Sequence, residues 1–175
     1  MDLLTLAVLC GPMVDPAMTL RVISVESAGH AFAVHDNTNG NTYEPATSAA
    51  AVNVANSLIR AGHRIDLGLM QINYDAWLRP VGFSLGLAFD PCTNIRLGTT
   101  LLSANYAHAL ARSRSPTEAL KRALSEYNSG SPSRSYSYAV KILTGRTAVK
   151  LLHLGVPRNL NSNAPPAALP NDPLR

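Results

Sequence analysis

The chain of 175 residues has few aromatic residues, at 6%, whereas alanine and leucine are plentiful. Strands are enriched in aromatic and β-branched residues, so this shortage argues against a β-sandwich and favours packed helices. With 46% hydrophobic residues, the chain is long enough for one sizeable core and is most simply a single domain. We find no internal repeat in it.

The chain also lacks a block of basic residues, although its formal net charge is +4 and its pI is near 9.3. Basic residues of the second half are scattered, at Arg112, Arg114, Lys121, Arg122, Arg134, Lys141, Arg146, Lys150 and Arg158. Scattered positive charge attracts polyanions only weakly, and it does not choose between nucleic acid and an anionic envelope polymer. Because no predicted helix has a basic face, we predict no binding of nucleic acid.

A long hydrophobic run is missing as well. The apolar run over residues 3–9 is far too short to cross a bilayer, so we predict no transmembrane segment. Asp2 precedes this run in place of a lysine or arginine, and no small-residue cleavage pattern follows it. An export signal is therefore not evident. The run instead predicts a first core helix that packs beside the next one.

Only two cysteines are present, Cys10 and Cys92, and their number alone permits either one disulfide or two separate thiols. A bond between them would close a long loop, contribute on the order of 3–5 kcal/mol, and indicate an oxidising compartment. His30, His35 and His63 have no recognised metal-binding spacing, and no cysteine lies near them. We predict neither a metal nor another cofactor.

Cap residues followed by proline mark several helix starts. Asp15-Pro16 and Asp90-Pro91 each combine a favoured N-cap with a first-turn proline, and residues 115–118 (SPTE) form a capping box. We predict helices over residues 15–29, 47–61, 74–78, 90–110, 115–130 and 136–143, and a weaker helical turn over 148–154.

Two other segments do not fit a helical period. Asn39-Gly40 is a hairpin signal, with Tyr43 in a short strand, and residues 63–73 predict extended chain or tight turns. The predicted fold class is α+β and mainly α, with five to seven helices and one small β or irregular region. Residues 1–156 form the predicted domain, and residues 157–175, which are rich in proline, asparagine and alanine, form an extended tail.

One carboxylate has an unusual setting. Glu26 lies one helical turn beyond Val22 and Ile23, and no lysine or arginine occurs three or four positions away. The only titratable neighbour at that spacing is His30. Partial desolvation without a cation would raise the pKa of Glu26 toward the range of a general acid. The alternative is a solvated glutamate near a helix end.

Three polar segments occur in the order of the three motifs of soluble lytic transglycosylases, which they resemble. They are residues 26–27 (ES), 68–73 (GLMQIN) and 127–130 (YNSG). The resemblance covers roughly residues 10–140 and is closest to the VirB1-like branch, which serves type IV secretion and conjugation. This branch is also matched by residues 35–38 (HDNT), 61–63 (AGH), 66–67 (DL) and 89–92 (FDPC), and by the position of Cys10.

The resemblance implies a lysozyme-like fold and a periplasmic or envelope enzyme that cuts peptidoglycan with one acid. In that mechanism Glu26 protonates the oxygen leaving N-acetylmuramic acid, assisted by the N-acetyl group of the sugar. It then takes the proton of the C6 hydroxyl, which closes onto C1 and leaves a 1,6-anhydromuramoyl end. Expected partners are peptidoglycan glycan strands and components of a type IV secretion or conjugation apparatus.

The candidate substrate-binding residues are Ser27, Met70, Gln71, Asn73, Tyr127, Asn128 and Tyr138. Gln71 and Asn73 offer amide groups to hydroxyl and N-acetyl groups of a glycan. Met70 is either a soft apolar wall for a sugar or core filler.

The remaining candidates also have alternatives. Tyr127 aims its hydroxyl at Glu26 or the substrate, or else is a half-buried core tyrosine. Ser27 is a helix-end cap or a substrate contact. Asn128 shapes the end of its helix near the site. Tyr138 lines the cleft or simply packs.

Other carboxylates have structural explanations from sequence. Glu44 is expected to be solvated, Asp66 to bond within a loop, and Glu126 to pair with Arg122 on the same helix. For Asp66, a contact with the site stays open as the alternative. Two functional alternatives stay open beside the transglycosylase. One is a hydrolytic lysozyme, and the other is a non-catalytic peptidoglycan-binding assembly subunit.

Overall fold

The computed structural model describes residues 1–145. The elements in chain order are α1 (Leu3–Cys10), α2 (Pro16–Glu26), β1 (Val34–Asp36), β2 (Asn41–Tyr43), α3 (Ser48–Arg60), β3 (Ile65–Leu67), β4 (Ile72–Asn73), a π-helix (Tyr74–Leu78), a 3-10 helix (Arg79–Val81), α4 (Leu85–Ala88), α5 (Pro91–Leu110), α6 (Pro116–Ser129) and α7 (Tyr136–Thr144). The predicted turn over 148–154, the domain boundary after residue 156 and the tail lie outside the described residues.

The predicted helix starts are confirmed by their caps. The side chains of Asp15, Asp90 and Ser115 each accept hydrogen bonds from amides of the first turn that follows. Glu118 of the capping box instead accepts from the amide of Arg114, at 3.1 Å. These bonds satisfy amides that have no partner inside the helix, which explains why so local a signal is reliable.

The β region is larger than predicted. The strand order is β2-β1-β3-β4, all antiparallel, with Val34 paired to Tyr43 on one side and to Leu67 on the other. The Asn39-Gly40 turn joins β1 to β2 as expected, and Gly40 has a positive φ of 78°. Because the hairpin pairs with the segment that follows α3, the sheet brings residues 34–43 and 65–73 together. The mainly helical α+β prediction is confirmed.

Several boundaries differ from the prediction. α2 ends at Glu26 rather than at Gly29, because Ala28 and Gly29 both have positive φ, at 51° and 87°. The chain after Leu78 continues into the 3-10 helix, and α4 was not predicted.

Helix α5 crosses the core and joins the parts of the molecule that carry the polar segments. It packs against α1, α6 and β4. Cys10 and Cys92 form a disulfide, which links the end of α1 to the start of α5. Of the two alternatives left open by the cysteine count, one disulfide is therefore correct and two separate thiols are not. Helix α7 packs against both α2 and α6. Among residues 1–145, no helix combines the length and the apolar character that crossing a membrane requires.

Candidate active site

The carboxyl group of Glu26 lies at the C-terminal end of α2, where α7 crosses it. Tyr138 on α7 is buried, and its hydroxyl donates a hydrogen bond to Oε1 of Glu26. Burial raises the pKa of Glu26 to about 7. The Tyr138 hydrogen bond opposes this rise, the charge of Asp66 adds to it, and Lys141 opposes it weakly. A carboxyl with this pKa exchanges its proton near neutral pH, as a general acid and base must.

Two tyrosines flank this region and both remain protonated. Burial raises the pKa of Tyr127 and of Tyr138, and the nearby Glu26 carboxylate raises both further. The hydroxyl of Tyr127 donates to the carbonyl oxygen of Met70, at 2.7 Å. This hydroxyl therefore bonds to the turn and not to Glu26. Tyr127 does line the cleft, so its contact with the substrate stays a prediction. The hydroxyl of Tyr138 contacts Glu26, so the alternative that Tyr138 is only a packing residue is wrong.

The turn over residues 68–71, between β3 and β4, is held by a buried asparagine that no sequence motif indicated. Asn94 on α5 accepts from the amide of Met70, at 2.8 Å. Its Nδ2 donates to the carbonyl oxygens of Leu67 and Ala88, at 2.9 and 2.8 Å. Gly68 has a φ of 77°, and a Cβ there would collide with the Asn94 side chain, so glycine is required on both counts.

The side chains of Ser27 and Met70 are buried and make contacts inside the fold instead of lining the cleft. Ser27 is buried, and its hydroxyl donates to the carbonyl oxygen of Leu69, at 2.8 Å, which fixes the turn to the end of α2. Ser27 is also the C-cap residue of α2, so the helix-end alternative is confirmed and the substrate contact is not. The side chain of Met70 is fully buried and packs against Gly98 of α5. Of the two alternatives for Met70, core filler is confirmed and the wall for a sugar is not, because the turn directs its carbonyl toward Tyr127 and its side chain into the core.

An amide and carboxylate network forms one part of the cleft surface. Asp66 accepts from Nδ2 of Asn73, at 2.7 Å, and from Nδ2 of Asn37, at 2.8 Å. Oδ1 of Asn73 accepts from the amide of Ala76, at 2.9 Å. Burial raises the pKa of Asp66. Asp66 thus bonds within a loop, as predicted, and it also lines the cleft, which was the open alternative.

Gln71 lines the same cleft with part of its amide already engaged. Its Nε2 donates to the carbonyl oxygens of Gly68 and Ala33, at 2.7 and 3.3 Å. The backbone φ of Gln71 is 48°, a left-handed conformation that is uncommon for a residue with a side chain. The positive φ values of Gly68 and Gln71 enclose this four-residue turn and set its shape.

The end of α6 forms another part of the cleft surface. Asn128 is exposed, lines the cleft and accepts from the Ser135 hydroxyl, at 2.7 Å. Glu126 was predicted to pair with Arg122, and this is wrong: Arg122 binds Glu118, at 3.5 Å. Glu126 lines the cleft, and its buried Oε2 has no hydrogen-bond partner within residues 1–145.

These segments enclose a cleft of about 640 Å³. Glu26, Asp66 and Glu126 lie along it, with Arg64 as the basic residue of its lining, so the cleft is acidic in a chain of net charge +4. Trp77 also lines it, at a position that no motif of the sequence indicated. Within the described part of the chain, no group of three or more histidine, cysteine or acidic residues is placed to hold a metal ion.

Comparison with known proteins gives consistent matches. The family model of the transglycosylase SLT domain matches residues 6–139. The protein virB1 of Agrobacterium fabrum is 36% identical over 121 residues, which cover 69% of this chain and 49% of that protein. The type IV secretion system protein virB1 of Brucella abortus biovar 1 is 31% identical over 129 residues, which cover 73% of this chain and 53% of that protein. The protein virB1 of Rhizobium radiobacter is 31% identical over 137 residues, which cover 77% of this chain and 56% of that protein.

The chain spans about half the length of the curated relatives that it matches. No solved structure matches it. The family match includes Glu26, the turn over 68–71 and Tyr138, which are the parts that meet at the end of α2. It agrees with the observed mainly helical fold and with the resemblance found in the three polar segments. The chain therefore belongs to the transglycosylase SLT domain family, with a lysozyme-like, mainly α fold.

Proposed function

We propose that this chain is a peptidoglycan lytic transglycosylase in which Glu26 is the single catalytic acid. Its reaction is cleavage of the β-1,4 bond between N-acetylmuramic acid and N-acetylglucosamine, with formation of a 1,6-anhydromuramoyl end. The observation that carries the proposal is a carboxyl with a pKa of about 7 at a cleft of about 640 Å³. Family membership supplies the class of reaction.

The first chemical step needs a proton on the carboxyl group. At pH values near and below 7 a large fraction of Glu26 is protonated, so it can donate to the glycosidic oxygen as that oxygen leaves. The N-acetyl group of the substrate supports the positive charge at C1, a recognised alternative to a second carboxylate. The hydroxyl of Tyr138 then stabilises the ionised carboxylate, because hydrogen bonds to a charged acceptor are the stronger ones.

The second step uses the same group as a base. Ionised Glu26 takes the proton of the C6 hydroxyl, and the C6 oxygen closes onto C1 without consuming water. A pKa of about 7 serves both steps, since the proton must be given and recovered at a similar pH. Glu26 finishes the cycle protonated, ready for the next bond.

Asp66 acts in this scheme through its charge. Two amide donors, from Asn37 and Asn73, hold its carboxylate in place, and the negative charge adds to the raised pKa of Glu26. Gln71 and Asn128 have the amide chemistry that recognises hydroxyl and N-acetyl groups, and both line the cleft. We assign them to substrate binding, with Tyr127 holding the turn on which Gln71 lies.

The biological setting follows from the relatives. Those from Brucella carry the name type IV secretion system protein virB1. We infer that this chain opens the cell wall locally for a type IV secretion or conjugation apparatus, and that it works in the periplasm or cell envelope. The disulfide between Cys10 and Cys92 supports an oxidising compartment.

Digestion of purified sacculi tests the reaction type. Products analysed by mass spectrometry should carry 1,6-anhydromuramoyl ends, each lighter by one water than the corresponding hydrolysis product. Reducing ends in their place would show a hydrolytic lysozyme. Intact sacculi that bind the protein without being cut would show a non-catalytic assembly subunit.

A further inference from the structure

One carboxylate of the cleft, Glu126 on α6, forms no salt bridge within residues 1–145. Glu126 is half-buried and lines the cleft, and its buried Oε2 has no hydrogen-bond partner among the same residues. The basic residue one helical turn before it, Arg122, is engaged by Glu118. A buried carboxylate oxygen without a donor costs free energy, because it has lost its water and gained no bond in return. A donor that arrives with a ligand would remove this cost.

Two residues of α5, the helix that packs against α6, line the same cleft. Leu101 and Asn105 lie one helical turn apart, so their side chains project from the same face of α5. Both are partly buried. The amide of Asn105 offers an oxygen that accepts hydrogen bonds, and Leu101 offers an apolar surface. Together with Glu126, these residues provide the cleft with a carboxylate, an amide oxygen and an aliphatic side chain.

This combination suits an ammonium group at the end of an aliphatic chain. An ammonium group has three N–H donors and a full positive charge, so it can bond to Glu126 and still have a donor for Asn105. The methylene groups that carry it pack favourably on an apolar neighbour such as Leu101. An N-acetylated sugar has hydroxyl and amide donors, but it is neutral and brings no positive charge to the carboxylate. The sugars of the glycan strand are therefore the poorer partners for Glu126.

Peptidoglycan carries a group of the required kind outside its sugars. Short peptides are attached to its muramic acid residues, and the diamino acid of each peptide has an amine on an aliphatic side chain, which is free wherever the peptide is not crosslinked. We propose that Glu126, with Asn105 and Leu101, is a subsite for this ammonium group, and that it makes the enzyme favour glycan strands with uncrosslinked peptides. This inference rests on the proposed function, since it takes the substrate class from it.

The subsite should act on substrate affinity and not on the chemical step. The ammonium group belongs to the peptide, so its contact with Glu126 is the same before and during cleavage of the bond between the sugars. Loss of such uniform binding raises KM and leaves kcat nearly unchanged. In the otherwise native protein, Glu126→Gln should raise KM for uncrosslinked strands roughly tenfold and change kcat less than twofold. A lower kcat with an unchanged KM would contradict the proposal.

A double-mutant cycle between protein and substrate tests the contact itself. Soluble uncrosslinked strands are used untreated or after acetylation of their free amines, and calorimetry measures their binding to the Glu26→Gln protein, which binds without cutting. Acetylation should weaken binding roughly tenfold, and adding Glu126→Gln should weaken binding of the untreated strands by a similar factor. With Glu126→Gln present, acetylation should have no further effect, because the pair of charges is already lost. Equal losses on acetylation with and without Glu126 would overturn the proposal.

Two further variants, each checked by circular dichroism, serve as controls. Glu44 lies outside the cleft lining and its side chain is 53% exposed, so Glu44→Gln should bind both kinds of strand as its parent does. Glu126→Asp keeps the negative charge and should retain part of the response to acetylation. A Glu126→Asp protein that responds no more than Glu126→Gln, or a Glu44→Gln protein that loses the response, would count against a charge contact at Glu126.

Peptide-free strands distinguish two sources of an ammonium group. After an amidase has removed the peptides, amines remain only on sugars that have lost their acetyl group. Glu126→Gln should bind these strands as tightly as its parent, and acetylation should not change their binding. A response to acetylation that depends on Glu126 and persists in the peptide-free strands would overturn the assignment to the diamino acid.

The two proposals fail in different ways. If no strand of either kind binds to the Glu26→Gln protein, the substrate class and the subsite are both wrong. If sacculi are cut without anhydro ends but acetylation acts through Glu126, the reaction type is wrong and the subsite stands. If anhydro ends form and acetylation acts equally with and without Glu126, only the subsite is wrong.

Discussion

The hydroxyl of Tyr138 donates a hydrogen bond to Oε1 of Glu26, across 112 positions of sequence. Burial of the carboxyl raises its pKa, and this hydrogen bond lowers it, so the value of about 7 is a balance between the two. The balance matters for function because one group must both give and take a proton. It is also open to experiment, since each side can be changed separately.

Replacement of Tyr138 by phenylalanine should move the pH profile upward. The hydrogen bond favours the ionised carboxylate, so its loss raises the pKa of Glu26. Activity that depends on protonated Glu26 is lost as pH rises, and this limb of the kcat/KM profile should shift to higher pH. Activity at neutral pH should fall roughly tenfold, since the ionised intermediate loses a charge-assisted hydrogen bond. A limb that shifts to lower pH would contradict this account; Tyr136→Phe is the matched control.

Replacement of Asp66 by asparagine should move the same limb in the opposite direction. The negative charge of Asp66 raises the pKa of Glu26, so its removal lowers that pKa. The alkaline limb should then appear at lower pH. Because Asp66 acts through charge, we expect at least about a tenth of the native rate at the new optimum. A loss as complete as that of a Glu26 variant would indicate that Asp66 takes part in the chemistry.

Stability should fall as pH rises through the titration of Glu26. The pKa is raised from 4.5 to about 7 in the folded state, so the folded protein holds this proton more tightly than the unfolded chain does. The resulting stabilisation is fully present below pH 4.5 and is lost as pH rises through 7, by up to about 3 kcal/mol. Urea unfolding at several pH values measures it. Glu26→Gln should remove this part of the pH dependence. If the free energy of unfolding changes with pH by the same slope in the native and the Glu26→Gln protein, the prediction is refuted.

Reduction of the disulfide should destabilise the protein strongly. The bond between Cys10 and Cys92 spans 82 positions, and closing a loop of this length contributes about 4.5 kcal/mol in the chain-entropy model. Thermal unfolding with and without dithiothreitol should show a clear drop in Tm. The double variant Cys10→Ser, Cys92→Ser should start near the lower Tm and show no response to the reductant. If the reductant leaves the native protein unaffected, the bond does not contribute to stability.

Features determined by neighbouring residues were predictable from sequence. The caps at Asp15, Asp90 and Ser115 act within one turn, so the helix starts they indicate are correct. The raised pKa of Glu26 was one of two alternatives that its local neighbours left open, and the burial of the carboxyl in the fold decides between them. Its hydrogen-bond partner could not be predicted, because that contact depends on how α7 crosses α2.

Other predictions failed where the outcome depended on contacts distant in sequence. Met70 was a candidate for an apolar wall of the cleft against a sugar, with core filler as the alternative. Its side chain faces the core because Gly98 on α5 leaves space there. Trp77 was overlooked, since nothing in the sequence alone shows that the π-helix keeps its indole out of the core.

The error at Glu126 was avoidable. Arg122 lies four positions after Glu118 and four before Glu126, so spacing alone permits either pair. An acidic residue on the N-terminal side of a basic one is the better arrangement in a helix, and the structure has that pair. This orientation rule would have left Glu126 without its cation, and only the fold shows that it lines the cleft.

The most direct test of the single-acid account compares two carboxylates of one cleft, Glu26 and Glu126, each changed to glutamine. Release of anhydro-ended products from sacculi is measured for both, with binding to sacculi and circular dichroism confirming that each protein folds. We predict that Glu26→Gln lowers the rate at least about 100-fold while binding persists, and that Glu126→Gln stays within about tenfold of native. Near-native cleavage by the Glu26→Gln protein would contradict the account.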